Sequence, residues 1–290
     1  MKSPQFTYHR PQSVADATAL LGRLENAKVL AGGQSLMPML NMRYALPDHV
    51  VDINRIPELT GISIEGTRVR IGAMTRQRDI ERSDALAARA PIFREALQHV
   101  GHIQTRSRGT IGGSLCHLDP AAELPGLVRL FDGAVHVIGP GGSRTIAAVD
   151  WGLGYMTPAI GPDEIATAVT FDLWAGSSGE AFVEFARRHG DFAIAGAGVR
   201  MQRDASGAIS RLAMVLVGID VAPVRLLEAE GALIGRAPDA AALALAKTGL
   251  DTLEILSDAQ NSASYRKHIA GVMLARAFHR AAQNAEVAHA

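Results

Sequence analysis

The sequence predicts an α+β protein with two compact units, and two observations lead to that class. Near the N-terminus, segments of helical periodicity alternate with short strand-like runs, which indicates a β-α-β arrangement. In the second half, two long apolar strand candidates precede helical segments, which is typical of an antiparallel sheet packed against helices. The chain has 290 residues, enough for two such units.

The first unit combines the β-α-β crossover with two hairpins and a helical region. Pro91 is expected to open a second helix within that region, because its fixed φ suits a first helical turn. Residues 101–125 lack periodicity and are predicted to form a loop. The predicted elements are helix 13–24, strand 28–31, helix 36–42, strand 50–52, hairpin 59–74, helices within 75–100, helix 124–131, hairpin 134–146 and strand 165–173.

The small, polar segment from Trp174 to Gly179 is predicted to separate the two units. We therefore assign residues 1–176 to a first domain and residues 177–290 to a second, smaller one. The elements predicted for the second domain are strands 193–202 and 209–218, joined by a turn at 204–207, and helices 238–245 and 264–283.

Charge and cysteine content exclude several classes of protein. Lys and Arg total 29, as do Asp and Glu, and no basic run exists, so no binding to nucleic acid is predicted. One cysteine, Cys116, cannot form an internal disulfide or hold a metal cluster alone, and no metal site is predicted. The apolar stretch 212–222 is too short for a membrane helix and no signal peptide is recognisable, so a cytoplasmic protein without membrane insertion is expected.

Two segments share one design, in which a short apolar run is followed by paired glycines and a hydroxyl residue. They are Val29-Leu30-Ala31-Gly32-Gly33-Gln34-Ser35-Leu36, the first glycine motif, and Thr110-Ile111-Gly112-Gly113-Ser114-Leu115, the second glycine motif. Glycine permits positive φ and a close approach of the backbone, so consecutive N–H groups could face a pyrophosphate. Alternatively, each pair only makes a tight turn. Neither segment is a GxGxxG or a P-loop sequence.

Polar residues follow the second glycine motif closely enough to line one pocket. Asp119 and Glu123 could bind ribityl or ribose hydroxyls, and His117 lies between them and the motif. In the structural alternative, Asp119 and Pro120 begin a turn, and Glu123 lies in the first turn of the next helix. The lone Cys116 could be a nucleophile or redox group, although such a cysteine is more often a small packing residue, and it is left unassigned.

A third polar segment, Phe185 to Ala193, lies at the entrance to a strand of the second domain. Phe192 could cover a flat ring system, and Arg187 or Arg188 could favour a reduced, anionic ring. In the alternative interpretation Phe192 belongs to the core and the arginines form a solvated edge.

Taken together, these segments resemble the flavoprotein (medium) subunit of the molybdenum hydroxylases, the family of xanthine dehydrogenase and aerobic carbon monoxide dehydrogenase. The resemblance covers essentially the whole chain. Four motifs carry it in this order: Ala31-Gly32-Gly33-Gln34-Ser35-Leu36, Thr110-Ile111-Gly112-Gly113-Ser114, Asp119-Pro120-Ala121-Ala122-Glu123-Leu124-Pro125 and Arg188-x-Gly190-Asp191-Phe192-Ala193.

This resemblance implies an FAD-binding first domain of the vanillyl-alcohol-oxidase (PCMH) type, with two subdomains, and a smaller C-terminal domain of antiparallel sheet and helices. It implies no catalytic side chain and no metal ligand in this chain. The FAD contacts that it implies are Lys28, Val29, Leu30, Ala31, Gly32, Gly33, Gln34, Ser35, Leu36, Gly101, Thr110, Ile111, Gly112, Gly113, Ser114, His117, Asp119, Glu123, Ile165, Ala166, Asp191 and Phe192.

The resemblance also implies a role in electron transfer. Electrons would pass from a molybdenum cofactor in a large subunit, through [2Fe-2S] clusters in a small subunit, to the FAD of this chain and then to an external acceptor. A dimer of heterotrimers is the assembly that the family implies. Two alternatives stay open: a self-sufficient FAD oxidase or reductase, and a scaffold subunit without flavin.

Overall fold

The computed structural model describes residues 2–287 and confirms the α+β class. The N-terminal segment forms a parallel sheet of three strands in the order β1-β3-β2, joined by two helices. The first helix begins after Ser13, whose hydroxyl accepts a hydrogen bond from the Asp16 N–H. The elements are β1 (Thr7–His9), α1 (Val14–Leu21), β2 (Ala27–Leu30), α2 (Leu36–Met42) and β3 (His49–Asp52). The predicted β-α-β crossover is therefore confirmed, and the sequence prediction missed only β1.

A five-stranded sheet, ordered β4-β5-β10-β6-β7, forms the next layer, and its two predicted hairpins are confirmed. Helices pack against it, among them α7 against β5 and β10. The elements are β4 (Ile62–Glu65), β5 (Arg68–Gly72), α3 (Gln77–Arg82), α4 (Asp84–Ala87), α5 (Ile92–His99), α6 (Ile103–Arg108), α7 (Ile111–His117), α8 (Glu123–Leu130), β6 (Ala134–Gly139), β7 (Gly142–Ala147), β8 (Gly152–Gly154), β9 (Thr157–Pro158) and β10 (Ile165–Asp172).

The prediction of a loop over residues 101–125 was wrong, because this segment contains α6, α7 and the start of α8. The first two helices have six and seven residues, too few to show a repeating apolar face. Capping defines α7 instead: the Thr110 side chain accepts a hydrogen bond from the Gly113 N–H.

The C-terminal part is an antiparallel sheet of four strands, ordered β11-β12-β13-β14, with the long helix α11 packed on β11 and β12. The two predicted strands and the last helix are confirmed. Strand β11 was missed, since two glutamates interrupt its apolar pattern. The elements are β11 (Gly179–Phe185), β12 (Ala195–Arg203), β13 (Ile209–Val217), β14 (Val224–Arg225), α9 (Leu227–Leu233), α10 (Ala240–Thr248) and α11 (Ala263–Val287).

The C-terminal sheet is buried on both faces. Along β13, Val215 and Val217 share a core with Phe93 of α5, whereas Met214 and Leu216 face the cluster beneath α11. This alternation follows from the two-residue period of a strand. Helices α5 and α8 are therefore held between the five-stranded and four-stranded sheets, and the loops at their ends are fixed by core packing.

Within residues 2–287, none of the helices has the length and apolar character needed to cross a bilayer.

Candidate functional site

The two glycine motifs lie against each other at the edge of the first domain. A Cβ placed on Gly32 would lie 2.4 Å from the Arg108 carbonyl oxygen and 2.8 Å from Gly109 Cα. A Cβ on Gly113 would lie 3.6 Å from the Ala31 Cβ. Only glycine fits at position 32, and its absent side chain lets the two backbone segments touch.

The first glycine motif presents backbone donors that have no acceptor. Gly33 has φ of +75°, which turns the chain between β2 and α2. Among the described residues, nothing accepts a hydrogen bond from the consecutive N–H groups of residues 32–36. The Ser35 hydroxyl makes no capping bond to α2. Consecutive unpaired N–H groups in a glycine-rich turn form a concave site for an anion, so this motif fits the diphosphate of a dinucleotide.

The second glycine motif differs from the first because its backbone N–H groups donate within the fold, and its contact with a pyrophosphate stays a prediction. The Ile111 N–H donates to the Thr75 carbonyl oxygen at 3.2 Å, and the Gly112 N–H to that of Ala73 at 2.8 Å. The Gly113 N–H donates to Thr110 Oγ1 at 3.0 Å. Since its donors are used within the fold, this motif supports the first one by packing. A Cβ on Gly112 would lie 2.6 Å from the Ala73 Cβ, which explains that glycine.

Behind the first motif lies a hydrogen-bond network that the sequence analysis missed. Asn54 Nδ2 donates to the Ala31 carbonyl oxygen at 2.8 Å. Arg76 donates from Nη2 to Asn54 Oδ1 at 2.7 Å and from Nη1 to the Arg108 carbonyl oxygen at 2.6 Å. Burial, followed by the nearby Arg108, lowers the pKa of Arg76. This network ties both motifs together, and its one sequence signal was Asn54, a polar residue two positions after the end of β3.

Strand β2 and the start of β10 form the wall beside the first motif. Lys28 is exposed, whereas Val29 packs with Ala31 against a cluster that includes Ile165. Ala166, next to Ile165, is 6% exposed. The structure therefore brings the predicted contacts from residues 28–36 and 165–166 together.

The polar segment after the second motif adopts the turn and helix of the structural alternative. Asp119 Oδ1 accepts a hydrogen bond of 2.9 Å from the Ala121 N–H, and Glu123 begins α8. Burial lowers the pKa of His117 at the end of α7. Glu123 is 8% exposed, and burial, then the nearby Glu184, raises its pKa well above the usual range. The binding roles of these three residues stay predictions.

The third polar segment contacts Gly101, the predicted site residue between α5 and α6. A Cβ on Gly190 would lie 3.0 Å from the Gly101 carbonyl oxygen, and both glycines have positive φ. Phe192 is 68% exposed, so the interpretation that it belongs to the core was wrong. Three polar neighbours of Phe192 are exposed as well: Arg187, Arg188 and Asp191.

No nucleophile or metal centre is recognisable in the described part of the chain. Burial raises the pKa of the Cys116 thiol to about 12, so the reactive thiolate is suppressed. Within residues 2–287 no group of three or more His, Cys, Asp or Glu side chains could hold a metal ion. The unpaired N–H groups of the first glycine motif are therefore the feature of this site suited to binding an anionic dinucleotide.

Two family models match the chain. Residues 4–174 match the FAD binding domain in molybdopterin dehydrogenase, and residues 180–281 match the CO dehydrogenase flavoprotein C-terminal domain.

Relatives with known names match along almost their whole length. The carbon monoxide dehydrogenase medium chain of Afipia carboxidovorans is 40% identical, over 97% of this chain and 98% of that protein. The 6-hydroxypseudooxynicotine dehydrogenase complex subunit alpha of Paenarthrobacter nicotinovorans is 39% identical, over 97% of both chains. Among solved structures, a carbon monoxide dehydrogenase from Hydrogenophaga pseudoflava superposes with a TM-score of 0.95 at 38% identity, covering 98% of this chain and 99% of that one.

Proposed function

Because the chain belongs to the family of FAD-binding medium subunits of molybdenum hydroxylases, we propose that it transfers electrons through bound FAD. The electrons come from [2Fe-2S] clusters in a small partner subunit, which receives them from a molybdenum cofactor in a large subunit. An external acceptor takes them from the flavin. The chain then acts as the electron exit of an oxidoreductase complex and does not touch the organic substrate.

The observation that carries this proposal is the row of unpaired N–H groups at residues 32–36. A dinucleotide diphosphate is an anion of matching size and hydrogen-bonding type. The Asn54–Arg76 network holds the turn in place before any ligand arrives. A preorganised turn loses little conformational entropy on binding, which favours tight retention of the cofactor.

Several further predicted contacts have roles in this proposal. The FAD itself supplies the redox chemistry, and the protein binds it, orients it and limits its exposure to water. The Ser35 hydroxyl adds a donor to the diphosphate site, and the backbone at Ile165 and Ala166 borders the adenine. Ribityl and phosphate groups lie near His117, Asp119 and Glu123, and Phe192 with Asp191 lies beside the isoalloxazine ring.

The assembly and the domain division are part of the same proposal. We assign residues 1–176 to FAD binding and residues 177–290 to a C-terminal domain. The complex is a dimer of heterotrimers located in the cytoplasm.

Purification of the native complex tests this function. Acid-released cofactor and the co-purifying chains are identified by mass analysis, and flavin absorbance is followed after the reducing substrate is added. We expect FAD, an iron–sulfur subunit and a molybdopterin subunit, with flavin bleaching only while all three chains are present. A solitary chain that oxidises a substrate with its own FAD would instead establish a self-sufficient flavoenzyme. A complex without flavin would establish a scaffold subunit.

A further inference from the structure

A second buried carboxyl group faces Glu123. Glu184 lies on β11, the strand that the sequence analysis missed, and its side chain is 4% exposed. The carboxyl groups of Glu123 and Glu184 approach within hydrogen-bonding reach of each other. The pair therefore joins the first turn of α8 to the C-terminal sheet.

No strong cation neutralises this carboxyl pair within the described residues. His99 Nδ1 lies 3.6 Å from Glu184 Oε1, and burial lowers the pKa of His99, which favours its neutral form. Glu184 Oε2 is buried and has no hydrogen-bond partner. Arg280 forms an ion pair with Glu95 instead. An orphaned buried carboxylate oxygen is costly, so this one marks a place for a proton or a ligand donor.

The pair lies where three predicted flavin segments converge. His99 directly precedes the segment that contains Gly101, and Glu123 ends the polar segment that begins with His117 and Asp119. Strand β11 leads into the loop that contains Asp191 and Phe192. The remaining charged neighbours are those that act electrostatically on Glu123 or His99: Asp119, Glu95, His189 and Arg280.

Two buried carboxyl groups within hydrogen-bonding reach, without a counter-cation, do not both ionise readily. One shared proton lowers their joint charge from two to one and allows an O–H···O⁻ hydrogen bond. Burial raises the pKa of Glu184 to about 7, in agreement with such sharing.

We propose that Glu184 is a further residue of the flavin site, that it shares one proton with Glu123, and that loss of this proton to solvent weakens FAD binding. The proposal rests on the proposed function. Deprotonation leaves two carboxylates where the predicted flavin segments converge, and these repel the anionic cofactor. It also breaks the O–H···O⁻ hydrogen bond that holds the two carboxyl groups together.

Titration of FAD into the full chain tests this proposal. The dissociation constant is measured by flavin fluorescence from about pH 6 to about pH 9, for the wild type, Glu184→Gln and the exposed control Glu65→Gln. We expect wild-type binding to weaken above about pH 7, by at most tenfold per pH unit because one proton is linked. Glu65→Gln keeps that profile, and Glu184→Gln flattens it. A flat wild-type profile overturns the proposal, as does an unchanged profile in Glu184→Gln.

Calorimetry provides a measurement that needs no variant. FAD binding at about pH 8 in buffers of different ionisation enthalpy gives the number of protons taken up. We expect uptake of a substantial fraction of one proton by the wild type, and zero uptake contradicts the shared proton. If FAD fails to bind at any pH, the proposed function itself fails, so the two failures are distinguishable.

Discussion

The Arg108 carbonyl oxygen lies 2.4 Å from the position that a Cβ of Gly32 would occupy. This contact joins the first glycine motif to the segment that precedes the second one. It explains why the two motifs occur together: the second holds the first in the conformation that leaves its N–H groups unpaired.

Gly32→Ala should destabilise the fold and reduce FAD content, because the new methyl group overlaps backbone that cannot rotate away. We expect a loss of about 1–3 kcal/mol in the free energy of unfolding. Gly141→Ala is the matched control, since no atom lies within 4 Å of its Cβ position. Urea unfolding and the ratio of flavin to protein absorbance measure both effects. Equal flavin content in the two variants would contradict the packing of the motifs.

Asn54→Ala should weaken FAD binding without unfolding the chain. The variant removes the donor to the Ala31 carbonyl oxygen and the acceptor for Arg76. A lost hydrogen bond of about 1.4 kcal/mol corresponds to a dissociation constant about tenfold higher. Asn261→Ala is the control, because Asn261 bonds only locally to Asp258. Unchanged FAD affinity in Asn54→Ala would show that the turn does not need this network.

The sequence was informative where a local pattern decides the structure. The β-α-β crossover and both hairpins of the first domain were recognisable because strand period and turn glycines act locally. Strand β11 was missed because Glu180 and Glu184 read as solvent-facing, although the fold buries both side chains. The two glycine motifs looked equivalent, yet the second one donates its N–H groups in long-range hydrogen bonds to the carbonyl oxygens of Ala73 and Thr75. Such partners cannot be identified from spacing alone.

Glu180→Gln should strongly destabilise the C-terminal sheet. Glu180 and Arg200 form an ion pair of 2.9 Å whose side chains are 0% and 1% exposed, with the guanidinium 3.5 Å from the Phe131 ring centroid. Removing one charge of a buried pair costs about 3–5 kcal/mol, since the other is left uncompensated. Exchanging both for apolar residues, as in Glu180→Leu with Arg200→Met, should recover most of the loss. Chemical unfolding of the wild type, Glu180→Gln and the double variant measures the free energy of unfolding of each. A small loss of that free energy in Glu180→Gln contradicts this interpretation.

Protonation of Glu184 should make the free energy of unfolding depend on pH. Its folded-state pKa of about 7 lies above the ordinary value of 4.5, so the folded protein holds the proton more tightly. The contribution of this protonated group to the free energy of unfolding is fully present below about pH 4.5, and it is lost as the pH rises to about 7. The stability difference between the wild type and Glu184→Gln should therefore fall across that window. A difference that rises with pH would mean that Glu184 is stabilised as a carboxylate.

The most direct test of the flavin site is the response of individual backbone amides to FAD. Nitrogen–proton correlation spectra of the isotopically labelled full chain, recorded with increasing FAD, report each N–H separately. We expect the largest shifts at residues 32–36 and smaller ones at residues 111–114, whose donors are already bonded. Saturation should occur at one FAD per chain. If residues 32–36 do not respond while FAD binds, the diphosphate lies elsewhere and the central claim is wrong.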